Sequence, residues 1–282
     1  MELWFTEEHT DNVRFSMRVD KHIESVQSDF QKIDVFQTPE FGRVLVIDGF
    51  VMLTEKDEFI YHEMITHVPM SVNPNIKRIL VIGAGDGGTV RELTRYNSVE
   101  KIDMVEIDKS VVDVCMKHIP LTASKLKEDK VNLYFEDGLK FVKTKTNEYD
   151  LIIVDSTDPI GPGFELFTQE FYENCFNALK EDGILVNQHE SPYYKRESEA
   201  MQRAHKKIKT VFPVARVYQA HIPTYGSGHW LFGFASKKYD PIENINDNEW
   251  NSLGMTTKYY NTALHKGAFA LPNYVNELLE NA

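Results

Sequence analysis

The chain has little cysteine: Cys115 and Cys175 are the two among 282 residues. Two thiols make no disulfide framework, which excludes the cross-linked secreted classes and makes a reducing cytoplasm the expected location. Long hydrophobic runs are also missing. No apolar stretch approaches the roughly 18 residues of a membrane span, and the opening MELWFTEEHT has no signal-peptide character. Basic residues are the minority, 31 against 43 acidic, for a net charge of −12. An acidic field repels nucleic acid and attracts cations, although many enzymes are acidic for solubility alone. There is no internal repeat or low-complexity tract. What remains is an ordinary globular composition, long enough for one large domain with an appendage or for two domains.

Residues 1–55 read as a small β domain. VRFSMRV (13–19), FQKIDVFQ (30–37) and RVLVID (43–48) partly alternate and are separated by turn chemistry such as Asp48-Gly49. Three or four such strands are too few to stand alone, so this sheet is expected to pack on the main domain or on another subunit. Residues 56–282 form the second unit. Ile60, Met64, Ile65 and Val68 share helical spacing in 57–70, with Thr54 or Asp57 available as a cap. Strands at 77–83, 101–106, 131–136, 149–154 and 183–188 are interleaved with helices at about 87–96, 109–118, 168–180 and 195–210. Such repetition predicts an α/β fold with a parallel sheet and right-handed crossovers. PVARVYQAHI (213–222) and HWLFGFAS (229–236), joined by PTYGSG, leave no room for a helix and read as an antiparallel hairpin closing the sheet. This is the layout of a Rossmann-like, methyltransferase-type sheet. The polar, aromatic tail from about 240 reads as short helices without chemistry.

Four apolar runs end in a carboxylate or lead straight to one: Asp86, Glu106, Asp137 and Asp155. In a parallel sheet those ends line one crevice, where open α/β sheets bind ligands. Carboxylates converging there, with Asp158 close behind, call for a cation among them. Gly83-Ala84-Gly85-Asp86-Gly87-Gly88 follows a strand and opens a helix, so its backbone can approach a nucleotide closely. Glu106 would hold ribose hydroxyls, and Asp137-Gly138 would read adenine. A dinucleotide pyrophosphate would be repelled by Asp86 in that loop, whereas a sulfonium with a cationic tail would be attracted. Asp155-Ser156-Thr157-Asp158-Pro159 puts two carboxylates beside the nucleoside; Ser156 and Thr157 are adequately explained as turn formers. Gly161-Pro162-Gly163 reads as a covering segment.

Other motifs carry less. Residues 62–67 read H-E-x-x-x-H and not H-E-x-x-H, which argues against zinc, and no metal is expected. Tyr225 and Trp230 could stand over the site, although residue type alone favours packing. Glu7-Glu8-His9 and the basic run His205-Lys206-Lys207-Ile208-Lys209 read as solvated faces.

With GAGDGG, MVEID, FEDG and DSTDPIGP in this order, the chain resembles the spermidine synthase family of aminopropyltransferases, in its bacterial putrescine-using branch. The likeness runs from WFTE through IPTYGSG. It implies decarboxylated S-adenosylmethionine as co-substrate with no permanently bound cofactor, putrescine as acceptor, spermidine and 5′-methylthioadenosine as products, and a homodimer or homotetramer. It also implies Asp155 as proton acceptor and Asp86 as the carboxylate holding amino groups. Glu106, Asp137, Gly138, Gln31 and Pro162 fall to the nucleoside. Asp158 and His62 fall to the diamine, with Tyr61 and Tyr225 as aromatic walls. Two departures stand out. GAGDGG replaces the commoner GGGDGG, which is accommodated if the φ of Ala84 is negative, and YHE replaces YQE. The acceptor stays open among putrescine, cadaverine, agmatine and spermidine. An amine N-methyltransferase is the nearest rival, followed by a non-catalytic polyamine-binding protein and a nicotinamide dehydrogenase.

Overall fold

A computed structural model describes residues 2–156 and 168–282. The N-terminal region holds more strands than its sequence advertises. β1 (Leu3–Thr10) and β2 (Val13–Val19) form a two-stranded hairpin. β3 (Lys21–Gln27), β4 (Lys32–Thr38), β5 (Gly42–Ile47) and β6 (Phe50–Thr54) form a four-stranded antiparallel sheet in that order. β1, β3 and β6 are absent from the sequence reading. β1 and β3 are edge strands carrying charge on exposed faces, which hides the alternation. This sheet packs on the main body: Ile33, Val35, Leu45, Ile47 and Leu53 share a core with Met64, Ile65 and Val68.

Helix α1 (Glu58–Val72) links the two parts. Asp57 precedes it but caps no amide; its carboxylate accepts instead from Thr54 Oγ1 at 2.6 Å and from Thr224. Then follow β7 (Arg78–Gly83), α2 (Gly88–Thr94), β8 (Lys101–Val105), α3 (Lys109–His118), the single turn α4 (Pro120–Ala123), β9 (Val131–Tyr134), α5 (Gly138–Lys143) and β10 (Tyr149–Asp155). The remainder is α6 (Gln169–Ala178), β11 (Leu179–Gln188), α7 (Lys195–Val211), β12 (Val214–His221), β13 (His229–Ser236), α8 (Asp247–Ser252), α9 (Thr262–Ala268) and α10 (Asn273–Glu280).

The described strands of this part form a seven-stranded sheet, β12-β13-β11-β10-β7-β8-β9. Strands β11, β10, β7, β8 and β9 run parallel, and β13 pairs antiparallel with both β11 and β12. The expected α/β sheet with its closing hairpin is present. β7 is buried on both faces: Ile79 and Val81 face one core, Leu80 and Ile82 the other, which is why it reads as a continuous apolar run. The order reverses direction at β7, so the loops after β7, β8 and β10 open into one crevice. Among the described residues no helix is long and apolar enough to cross a membrane.

Candidate active site

One cavity occupies the crevice and runs on toward the N-terminal sheet, with an empty space of ≈ 1530 Å³ including its mouth. Its lining unites Gln31, Tyr61, His62, Asp86, Glu106, Asp137, Gly138, Asp155 and Tyr225. Of the expected site residues, Asp158 and Pro162 lie outside the described residues, as does the Gly161-Pro162-Gly163 segment.

The backbone brings the strand ends very close. Gly83 has φ +87°, and a Cβ there would stand 2.1 Å from the Asp155 carbonyl oxygen. That oxygen accepts from the Ala84 amide at 2.8 Å. Ala84 also sits at positive φ, +62°. The expectation of a negative φ there fails, because the turn between β7 and α2 keeps its left-handed geometry and alanine tolerates it at a modest cost.

Asp155 sits at the end of β10 with both oxygens engaged by hydroxyls. Tyr61 Oη donates to Oδ1 at 2.7 Å, and Thr89 Oγ1 to Oδ2 at 2.6 Å. Each oxygen keeps a further lone pair for an incoming proton. Burial, followed by the charge of Asp86, raises the Asp155 carboxyl above the usual carboxylate range, against the pull of His62 and the two hydroxyls. Asp86 moves the other way. Burial acts to raise it, but the charge and hydrogen bond of His62, the Gly88 amide and Arg91 hold it below the usual range. The two neighbouring carboxyls are thus driven apart, one toward base, one toward fixed anion.

His62 is the cation that holds Asp86 ionised. Its Nδ1 lies 2.5 Å from Glu58 Oε2 one helical turn back, and its Nε2 lies 3.1 Å from Asp86 Oδ1. A carboxylate on each nitrogen demands an imidazolium, and the charge of Asp86 with both bonds pushes its pKa up to about 10 against the opposing effect of burial. Arg91 closes the network with two bonds to Glu58 at 2.8 and 2.9 Å. His62, Asp86 and Asp155 have donor atoms within 4.8 Å of one another, but an imidazolium donates protons and does not ligate a metal. His62, expected at the diamine, lines the cavity with its two ring nitrogens facing Glu58 and Asp86.

Gln31, Glu106, Asp137 and Gly138 also line the cavity. Glu106 follows β8, and its Oε1 accepts the Asp108 amide at 2.9 Å. Burial and the nearby charge of Asp108 raise its carboxyl to about 7, against the Asp108 and Ile107 amides. Gln31 Nε2 donates to Asp108 Oδ2 at 3.1 Å, joining the N-terminal sheet to this wall. Asp137 caps α5 by accepting the Leu139 amide at 2.9 Å. Across the cavity, Tyr225 Oη donates to the Met52 carbonyl at 2.8 Å, and its ring meets Trp230 at 4.8 Å and Tyr61 at 6.3 Å.

Residues 58–247 match the family model of the spermine/spermidine synthase domain, and residues 3–55 match that of the spermidine synthase tetramerisation domain. The chain belongs to the spermine/spermidine synthase family. It is 72% identical over 281 residues to a polyamine aminopropyltransferase of Clostridium perfringens (strain SM101), covering 100% of this chain and 99% of that one. It is 70% identical over 280 residues to that of Alkaliphilus oremlandii, covering 99% of each. Among solved structures, a spermidine synthase in complex with the transition-state analogue AdoDATO superposes with TM-score 0.96 at 42% identity, over 99% of this chain and 96% of that one. Spermidine synthase from Thermotoga maritima gives 0.95 at 42% identity, over 99% and 95%.

Sequence reasoning about this spermidine synthase-family site missed several residues. Glu7 and His9 are buried, 6% and 8% exposed, and line the cavity; only Glu8 between them faces solvent. Strand alternation puts residues 7 and 9 on one face, a signal hidden by the charge of the run. His205, in the supposedly solvated basic run, is likewise buried. Glu58, one turn before His62, was visible from helical spacing alone. Thr89, Gln188 and Glu197 carried no local signal.

Proposed function

We propose that this protein is a spermidine synthase that transfers the aminopropyl group of decarboxylated S-adenosylmethionine to putrescine. Spermidine and 5′-methylthioadenosine are its products. The observation carrying this reading is the convergence of Asp86 and Asp155 on one cavity that is also lined by Glu106, Asp137 and Gly138; burial and His62 shift the two aspartates in opposite directions. Asp86, kept ionised by His62, suits the positive charge of the aminopropyl ammonium. Asp155, made more basic, suits a proton acceptor.

Putrescine is a dication at neutral pH, so its attacking end must first lose a proton. Asp155 takes that proton while Tyr61 Oη, which donates its own hydrogen to Asp155, offers its lone pair to a remaining N–H. The nitrogen lone pair then forms a bond to the propyl carbon next to sulfur. The carbon–sulfur bond breaks, and its electron pair goes to sulfur, discharging the sulfonium. Alignment of the two reactants supplies much of the rate, since effective molarity is worth about 7–11 kcal/mol in well-oriented systems. Glu106 and Gln31 would position the ribose, Asp137 and Gly138 the adenine, and Pro162 the same nucleoside from the covering side. Asp158 is assigned to the diamine by resemblance alone.

We treat residues 1–55 as an assembly domain and 56–282 as the catalytic domain, in a homodimer or homotetramer. The cytoplasm is the proposed location, supported by two buried free thiols, Cys115 and Cys175. No specific observation favours the methyltransferase reading.

The test offers putrescine with either S-adenosylmethionine or its decarboxylated form and weighs the product. An added aminopropyl group with the decarboxylated form alone is expected; an added methyl group overturns the reading. In the same assay Asp155→Asn should turn over about 100- to 10,000-fold more slowly while methylthioadenosine affinity holds. Near-normal turnover would remove Asp155 from its role.

A further inference from the structure

The cavity continues past the reacting carboxylates. From Asp155 an aromatic lane leads through Tyr61 and Tyr225 to Trp230. Gly226, next to Tyr225, packs on the His9 ring so tightly that a Cβ would come within 2.4 Å of it. Beyond lie Glu7 and His9 of β1, Gln188 at the end of β11 and Glu197 in the first turn of α7, all on the cavity wall. His9 Nδ1 is 3.0 Å from Glu7 Oε1, and Nε2 makes an ion-pair contact of 2.8 Å with Glu197 Oε1. Tyr194 and Phe15 hold the ring edge-on at 4.5 and 5.3 Å.

The acceptor inventory of this cluster leaves one oxygen over. Each Glu7 oxygen has a partner: Oε1 faces His9 and Oε2 accepts the Val51 amide at 2.9 Å. Glu197 is 5% exposed, with Oε1 on His9 and Oε2 buried without a hydrogen-bond partner. An unpartnered buried carboxylate oxygen is costly, and a carboxylate kept in that condition on a cavity wall fits a cationic ligand. The charges agree. His9 between two carboxylates is held as an imidazolium: despite burial, Glu197 and Glu7 raise its pKa to about 9. Two carboxylates and one imidazolium sum to −1, which one ammonium neutralises.

We propose that Glu197, oriented by His9, receives the far ammonium of the acceptor amine, and that the Glu7–His9–Glu197 assembly measures the length of the diamine. The proposal rests on the aminopropyl-transfer reading above. It replaces His62, whose nitrogens are spent, with a carboxylate that has an oxygen to spare. The apolar methylenes would lie along Tyr61, Tyr225 and Trp230 between the two charged ends.

The experiment compares kcat/KM for putrescine, for n-butylamine, which lacks the far ammonium, and for cadaverine, one methylene longer. In Glu197→Gln the putrescine-to-butylamine ratio should fall about 10- to 100-fold, the worth of one charge-assisted hydrogen bond. Glu197→Asp withdraws the carboxylate by one methylene, so the cadaverine-to-putrescine ratio should rise several-fold, a gain that misfolding cannot mimic. Ratios equal to those of the wild type in Glu197→Asp overturn the proposal whether or not Glu197→Gln folds. Failure of the underlying reading looks different: wild-type protein would then release no methylthioadenosine with any of the three amines.

Discussion

If Glu106 holds the ribose as proposed, its own titration should govern nucleoside affinity. Its carboxyl is raised to about 7 by burial and by Asp108, and ribose hydroxyls donate best to the ionised form. Raising pH through that value converts acid to carboxylate, so methylthioadenosine should bind more tightly as pH rises. Between about pH 6 and about pH 8 the ionised fraction changes by roughly tenfold, and calorimetric affinity should follow. Glu106→Gln should bind more weakly at high pH and show a flat profile. A wild-type profile as flat as the variant's would detach Glu106 from the ribose. The same residue shows what a sequence can disclose. A carboxylate at the end of a buried strand is visible in the pattern MVEID, whereas its raised pKa depends on packing from Val111 and Gly85 that no spacing reveals.

At the scale of elements, the site depends on how α2 begins against α1. A Cβ on Gly88 would stand 2.2 Å from the His62 ring. Gly88→Ala therefore forces the imidazolium away from Asp86 and Glu58, removing the cation that holds Asp86 ionised. Overpacking of this kind costs about 1–3 kcal/mol. The variant should melt several degrees lower and lose turnover beyond what instability explains, measured at a temperature where it remains folded. A melt and turnover matching wild type would show that His62 does not control the pair. The strands of the main sheet were legible because burial on both faces leaves unbroken apolar runs, as in β7 and β10. β1 and β3 were not, since edge strands trade apolar residues for charge. The positive φ of Ala84 was hidden for another reason: the turn imposes it, and alanine gives no sign of conformations it merely tolerates.

At the scale of the whole molecule, the tail from about 240 is a strut behind the active site. α1 carries Tyr61 and His62 toward the cavity and Glu63 away from it. Glu63 Oε1 accepts the Lys258 amide at 2.8 Å, and Oε2 accepts those of Tyr259 and Tyr260 at 2.7 and 2.8 Å. Tyr260 then donates to Ser71 Oγ at 2.8 Å and packs on His67 and Trp250. One buried carboxylate thus fastens a segment nearly 200 positions away, which is why the sequence showed short helices there but not their purpose. Glu63→Gln puts an amide donor against backbone donors and removes the charge, at a cost of about 2–4 kcal/mol. At roughly 2–4 °C per kcal/mol for a large domain, the melting temperature should fall by about 5–15 °C. Limited proteolysis should then cut first within the tail, because its anchoring is the interaction lost. An unchanged melting temperature would mean that the aromatic contacts of Tyr260 and Trp250 hold the strut without Glu63.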